Sequence, residues 1–359
     1  MDIPKKMQQK LDFKSSIHQH INQLISEVDI FKGTWQVLEH SQSMHLKELR
    51  KIATIESIGS STRIEGSTLT DAEVEKLLKS VKITKLTTRD QQEVVGYYEA
   101  LQIILDNYQD VPLTENYIHQ LHGILLKHST KDQTHKGKYK NLSNQVVANY
   151  PDGSQRIIFR TTEPHLTPGE MTSLLQWTND RLEKKDLHPL LIVAAFIYEF
   201  LSIHPYQDGN GRLSRLLTSL LLLKLDYPFI QYVSFEHVVE SKKENYYRAL
   251  MDGQKDRYNN EESIDKWVVF FLDSLVILTK RLKVKYEIYS KLKIGLNDRQ
   301  QQILDFIKEK ETAKISDIES YLENYSRNTI KKDLSYLVDE GLLLKVGAGR
   351  GVRYYIKEY

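Results

Sequence analysis

The chain has 359 residues, enough for two or three domains and more than one buried core. Its 16 Gly and 8 Pro make 24 of 359 residues, well below the roughly 12 % of average usage, which excludes collagen-like and low-complexity classes and leans to a helix-rich globular protein. Lys plus Arg is 50 against 48 for Asp plus Glu, so the net charge of +2 excludes a polycationic nucleic-acid coat, and the lack of cysteine excludes disulfides, thiolate zinc sites and a Cys nucleophile.

Helix signals fill the chain up to about residue 293. The pattern predicts helices over about 12–30, 42–65, 70–80, 88–107, 114–128, 167–185, 188–203, 210–225, 241–255 and 263–293. Thr70 with Glu73, and Thr167 with Pro168 and Glu170, have the S/T-x-x-E form of a capping box. The opening MDIPKKMQQKLDFK lacks the apolar run of a signal peptide, and the most apolar run, Leu190 to Leu201, holds Glu199 in 12 residues, short of the ~20 needed to span a bilayer. A soluble cytoplasmic protein without a membrane partner is expected. The exception to helix is 137–166, where VVANYPDGSQRIIF reads as two β-prone runs around the turn signal Pro151-Asp152-Gly153-Ser154.

The last 65 or so residues read helix, helix, helix, hairpin, the order of a winged helix-turn-helix. Residues 324–357 hold seven Lys/Arg (Arg327, Lys331, Lys332, Lys345, Arg350, Arg353, Lys357) against three acids, whereas 297–323 is net −3. The basic charge therefore sits on the third helix and the hairpin, the parts that would meet a groove and its phosphates. DNA through 324–357 is the partner this suggests; a protein-interaction or dimerisation module is the alternative, and monomer or homodimer stays open.

Residues 204–215, His-Pro-Tyr-Gln-Asp-Gly-Asn-Gly-Arg-Leu-Ser-Arg, lie between two apolar helices that pin a polar loop. Gly209 and Gly211 lack the Cβ atoms that would block close backbone approach, and Asn210 tolerates unusual dihedrals, so successive N–H groups can converge on an anion at the N-terminus of the next helix. Arg212 and Arg215, three apart, share a helix face and offer further cationic contacts. Asp208 is a hard oxygen ligand suited to Mg²⁺. His204 is the group here that can take a proton near neutral pH. The sum is a nucleotide phosphate site with its own base. Upstream, Ser61 and Glu65 lie four apart on one helix face, with Gly66 placed to end the helix.

The 204–215 segment resembles the signature of the Fic family, H-P-F-x-[D/E]-G-N-G-R-x-x-R, with Tyr206 in place of Phe. The resemblance spans about residues 40–285. It implies that His204 deprotonates a Ser, Thr or Tyr hydroxyl on a target protein, which displaces pyrophosphate from ATP and takes up AMP. It further implies that Asp208 holds Mg²⁺, that Asn210 with the backbone of Gly209 and Gly211 binds the α- and β-phosphates, and that Arg212 and Arg215 grip the β- and γ-phosphates. Leu213 is counted with this ATP-binding stretch. Residues 137–166, with Gly137, Tyr139 and Val146, look like the family's flap, which aligns the target by strand addition, and Lys140 stands where many members have Arg. Tyr247 and Gln254 resemble its adenine pocket, and Trp267 its closing helix. Ser61, Glu65 and Gly66 match its inhibitory motif [S/T]-x-x-x-E-[G/N], whose Glu pairs with the second arginine, here Arg215, in the space that the γ-phosphate needs.

The expected fold is mainly α: a Fic-type helical bundle with a β-hairpin flap, plus a C-terminal winged helix-turn-helix. Its regions are 1–109, with the inhibitory helix at about 42–66, the catalytic core 110–290, and 294–359. The expected function is an autoinhibited protein adenylyltransferase, with removal of AMP through the same Glu as a further activity. The alternatives are a Fic-type transferase with another nucleotide donor and a DNA-binding regulator with a nucleotide-sensing core.

Overall fold

The computed structural model describes residues 7, 9–39, 43–81, 85–149, 155–258, 261–291, 296–340, 342–347 and 349–356. They belong to two compact units, Met1–Lys32 with Arg50–Leu282, and Gly33–Leu49 with Lys283–Tyr359. Residues 50–109 therefore share a unit with 110–282. The helices are α1 (Ser15–Glu39), α2 (Ser43–Ile64), α3 (Asp71–Ser80), α4 (Arg89–Asn107), α5 (Glu115–Leu125), α6 (Thr167–Lys184), α7 (Pro189–Ile203), α8 (Asn210–Lys224), α9 (Phe235–Ser241), α10 (Lys243–Gln254) and α11 (Asp265–Lys291). Two strands, β1 (Gln145–Asn149) and β2 (Gln155–Arg160), pair antiparallel between α5 and α6. The turn signal at 151–154 lies outside the described residues. Among them, no helix is long and apolar enough to cross a membrane.

The expectations fail at two local points. The Thr70 box forms, with Glu73 N–H donating to Thr70 Oγ1 at 3.3 Å and Thr70 N–H to Glu73 at 2.8 Å. The Thr167 box does not: Thr167 is the first residue of α6, and its buried hydroxyl turns back to the Glu163 carbonyl at 3.1 Å. Glu170 instead accepts from Thr162 at 2.6 Å. The second point is 226–240, which the periodicity left unassigned. A 3₁₀ turn, Pro228–Tyr232, and the seven-residue α9 stand there, each too short to show a helical period.

α7 forms the centre of the first unit, since every side chain from Leu190 to Ile203 is buried. Such all-round burial follows from a sequence that is apolar but for the paired Glu199 and Ser202, each large apolar side chain contributing about 1.5–3 kcal/mol of transfer free energy. The indole of Trp267 on α11 donates to the Ala194 carbonyl at 2.7 Å, tying the closing helix to this centre. α8 is buried from Arg212 to Leu223. The six residues between α7 and α8 are thus anchored at both ends by core.

The second unit holds α12 (Asp298–Lys310), β3 (Thr312–Ala313), α13 (Ile315–Tyr321), α14 (Arg327–Asp339), β4 (Leu343–Val346) and β5 (Arg353–Ile356). The strands form one antiparallel sheet in the order β3-β5-β4. Its two-residue β3 is an addition to the expected three helices and hairpin. Ile303, Ile307, Ile318, Ile330, Leu334, Leu337 and Leu343 make a core of its own.

Candidate functional site

The site is the junction between α7 and α8. His204 ends α7 in a left-handed conformation, φ 52°, and Gly209 precedes α8 with φ 81°. Between these turns Gln207 and Asp208, with His204 and Gly209, line a cavity of about 280 Å³ together with Glu65, Arg215, Tyr246, Tyr247 and Gln254. Residues that are 150 positions apart in sequence meet there.

The His204 ring sits with Nδ1 3.3 Å from the Leu201 carbonyl. A carbonyl can only accept, so Nδ1 carries the hydrogen and Nε2 keeps its lone pair. Burial, with the positive charge of Lys140 behind it, pushes the imidazole pKa down to about 4, against weaker opposing pulls from the Leu201 carbonyl, Glu65 and Asp208. The ring is a free base at neutral pH.

Arg215 is 2 % exposed, and its guanidinium reaches the C-terminal end of α2. Nε donates to Ser61 Oγ at 2.9 Å, and Nη2 donates to the Ser61 carbonyl at 2.9 Å and to Glu65 Oε1 at 2.8 Å. Burial raises the Glu65 carboxyl pKa, but Arg215 and Arg212 outweigh it and hold the group below its ordinary value. The Glu65 carboxylate lies directly over Gly211, where a Cβ would collide with it. The helix stops there because Gly66 takes φ 107° while the Ser67 N–H closes back on the Thr62 carbonyl at 3.0 Å, a Schellman-type ending in which the left-handed residue is glycine.

Other residues take different places from those expected. Arg212 does not share the cavity with Arg215: its guanidinium turns to Asp208 (3.2 Å) and Glu93 (3.3 Å). The Asn210 side chain is committed to the loop itself, accepting from Tyr206 N–H at 2.9 Å and donating to the Tyr206 carbonyl at 2.7 Å. Asn210 therefore offers its backbone to an anion. Leu213 is fully buried in α8, which leaves it a packing residue. Gln254 lines the cavity while donating to Ser202 Oγ at 2.9 Å, and the half-buried Tyr247 lies beside it.

Asp208 Oδ1 accepts from the Gly209 N–H at 2.5 Å and from Arg212, while Oδ2 meets Arg89 at 3.5 Å. Burial raises its pKa, but Arg212, the Gly209 N–H and Arg89 lower it more, so it is an anion at the mouth of the cavity. Among the described residues no group of three or more His, Asp or Glu gathers as a metal cage. A single carboxylate next to a phosphate cradle is nevertheless the donor set that suits Mg²⁺, which keeps several waters and bridges phosphate oxygens.

Sequence reasoning missed the supports of this loop. His122 on α5 donates from Nε2 to the Asp208 carbonyl at 3.0 Å and accepts on Nδ1 from the Gly137 N–H at 2.9 Å. Its ring stacks on Tyr206 with centroids 3.8 Å apart. The buried Tyr206 hydroxyl finds His119 Nδ1 at 2.8 Å, so the Tyr-for-Phe replacement brings its own partner. A His in an amphipathic helix gives no sign of such a task in the sequence.

A model of the Fic/DOC family matches residues 112–222, and one of the DeoR-like helix-turn-helix domain matches 299–352; the chain carries a Fic domain followed by a helix-turn-helix domain. The protein adenylyltransferase Fic of Drosophila grimshawi is 27 % identical over 240 residues, 65 % of this chain and 44 % of that protein. The chain thus spans less than half the length of the curated relatives it matches. A Fic family protein from Desulfovibrio desulfuricans shares the fold over 98 % of both chains, with a TM-score of 0.64 and 22 % identity. A Fic-domain-containing signaling protein from Bacteroides thetaiotaomicron gives a TM-score of 0.59 at 25 % identity, covering 77 % of this chain and 99 % of its own.

Proposed function

We propose that this chain is a protein adenylyltransferase held inactive by its own α2. The observation that carries this reading is the Glu65–Arg215 pair lying over Gly211 in the cavity that His204 also lines. His204 Nε2 takes the proton of a Ser, Thr or Tyr hydroxyl on a target protein. The hydroxyl oxygen attacks the α-phosphorus of ATP, the bond from that phosphorus to the bridging oxygen breaks, and pyrophosphate leaves with AMP on the target. The main-chain N–H groups at the start of α8 and the Arg215 guanidinium would meet the phosphates. Mg²⁺ would be held by Asp208 and would supply neutralisation of phosphate charge. The nucleotide base would lie between Tyr247 and Gln254. With Glu65 on Arg215, the γ-phosphate lacks its place and ATP sits misaligned.

Incubation of cell lysate with ATP and either the native chain or Glu65→Gly tests this by intact mass and labelling. Labelling should rise at least about tenfold in Glu65→Gly, the scale of one lost charge-paired contact, and vanish when His204→Ala is added. Equal labelling by both chains would end the autoinhibition reading, and an added mass other than that of AMP would change the donor.

A second property is supported by the C-terminal unit, where Arg327, Lys331 and Lys345 line one groove of about 730 Å³ bounded by α14 and the strands. That groove would take a DNA backbone. A binding constant that fails to weaken as salt rises would exclude it.

A further inference from the structure

The left-handed turn at His204, φ 52°, costs a residue with a Cβ roughly 1–2 kcal/mol, which contacts to the neighbouring peptides can offset. Those contacts come from one short stretch ahead of β1. The main-chain N–H of Lys140 donates to the Pro205 carbonyl at 2.9 Å, and its ammonium donates to the Ile203 carbonyl at 3.0 Å. The Asn144 amide donates to the Tyr206 carbonyl at 2.8 Å. The peptide group ahead of His204 and the two that follow Pro205 and Tyr206 are thereby pinned. Lys140 is itself 3 % exposed, and its other two ammonium hydrogens go to Asn144 Oδ1 at 2.9 Å and Thr161 Oγ1 at 2.8 Å. All three donors of the ammonium are used, and all three acceptors are neutral oxygens. Glu163 and Glu170 attract it only through space.

We propose that Lys140 is the positioning residue of the His204 base, fixing the imidazole through the carbonyls of Ile203 and Pro205. The inference rests on the transferase reading only for its rate readout. Because no carboxylate cancels Lys140 at contact, its charge also opposes a second proton on His204; the groups that act the other way are Glu65, Asp208 and the Leu201 carbonyl. Lys140 precedes β1 by five residues, so the hairpin proposed to receive the target and the brace on the base belong to one stretch of chain.

The test uses the full chain carrying Glu65→Gly, with Lys140→Met and Lys140→Arg added separately. Two quantities are read: kcat and KM for ATP in target labelling, and the titration of the His204 imidazole by NMR, its signal identified by its loss in His204→Ala. In Lys140→Met, the titration midpoint should move up by about one unit and kcat should fall about tenfold or more, with KM changing by less than about threefold. Lys140→Arg keeps charge and donors, and should recover at least about a third of the parent kcat along with the low midpoint. The inference is overturned if Lys140→Met titrates and turns over as the parent does. It is equally overturned if both variants lose activity while the His204 midpoint stays put, since that is the mark of packing alone. A parent that labels nothing would remove the transferase reading, while the NMR midpoint would still decide the role of Lys140.

Discussion

At the scale of single residues, His204 is a half-buried base whose pKa is pushed down to about 4. Its ordinary value would be near 6.5. The profile of kcat/KM against pH reports the free enzyme, so the Glu65→Gly chain should keep its kcat/KM for ATP from pH 8 down through 6 and lose it only as pH approaches the lowered value. Half-loss near pH 6.5 would show that the ring is not shielded as its contacts imply. The twelve-residue segment 204–215 was legible because its chemistry is local: glycines, base, acid and arginines lie within one short stretch. The direction of each side chain was not. Arg212 and Arg215 share a helix face by spacing, yet Glu93 and Asp208 draw one while Ser61 and Glu65 draw the other. Neither pairing is visible without the tertiary neighbours.

At the scale of elements, the C-terminal end of α2, which the proposed function makes inhibitory, is fastened outside the cavity. Arg63 donates to both oxygens of Glu240 on α9 at 2.7 and 3.0 Å, and to Asp71 at 2.9 Å. The Lys243 ammonium adds a bond to the Ile64 carbonyl at 2.8 Å. Arg63 and Glu240 are both partly exposed, so the pair is screened and contributes modestly to global stability. Its bidentate geometry instead sets where Glu65 lies, two residues further on. Glu240→Gln should therefore raise basal labelling above the native chain, though less than Glu65→Gly does. Labelling that stays at the native level would place the fastening elsewhere. The sequence offered α2 and its glycine stop from pattern alone, whereas α9 was missed because seven residues are less than two helical turns and their anchor partner lies 177 positions upstream.

Across the whole molecule, the first described residues reach the centre of the fold. Lys10 is 5 % exposed and binds Glu199 at 2.6 Å and Glu262 at 2.8 Å, while Arg257 binds Glu199 at 2.6 Å and Glu170 at 3.3 Å. The network braces α7 one turn before His204. Burial raises the Glu199 pKa, but Arg257 and Lys10 outweigh it and hold the carboxyl well below its ordinary value. A depressed carboxyl contributes stability above its unfolded pKa of about 4.3 and loses it as pH falls through the folded value. Lys10→Met leaves Glu199 with one cation fewer and should cost about 3–5 kcal/mol. It should also flatten the acid limb of stability below pH 4.5, measured by denaturant unfolding across pH. A loss below about 1 kcal/mol would mean that Arg257 alone satisfies both acids. Separately, Leu334→Ala in the second unit's core should cost about 2–5 kcal/mol in the stability of that unit.

On the proposed reading, the placement of Glu65 over Gly211 would make it a competitor tethered to its own receptor. The carboxylate would never have to diffuse to Arg215, so raising ATP would shift the balance against a fixed local concentration rather than against a ligand that can be diluted away. Nucleotides that end at the β-phosphate do not contest that place, so ADP should bind the native chain and Glu65→Gly alike while ATP distinguishes them. Each 1.4 kcal/mol removed from the hold on the helix multiplies the open fraction about tenfold. A small external push on α2 would, on that reading, be converted into a large change in occupancy.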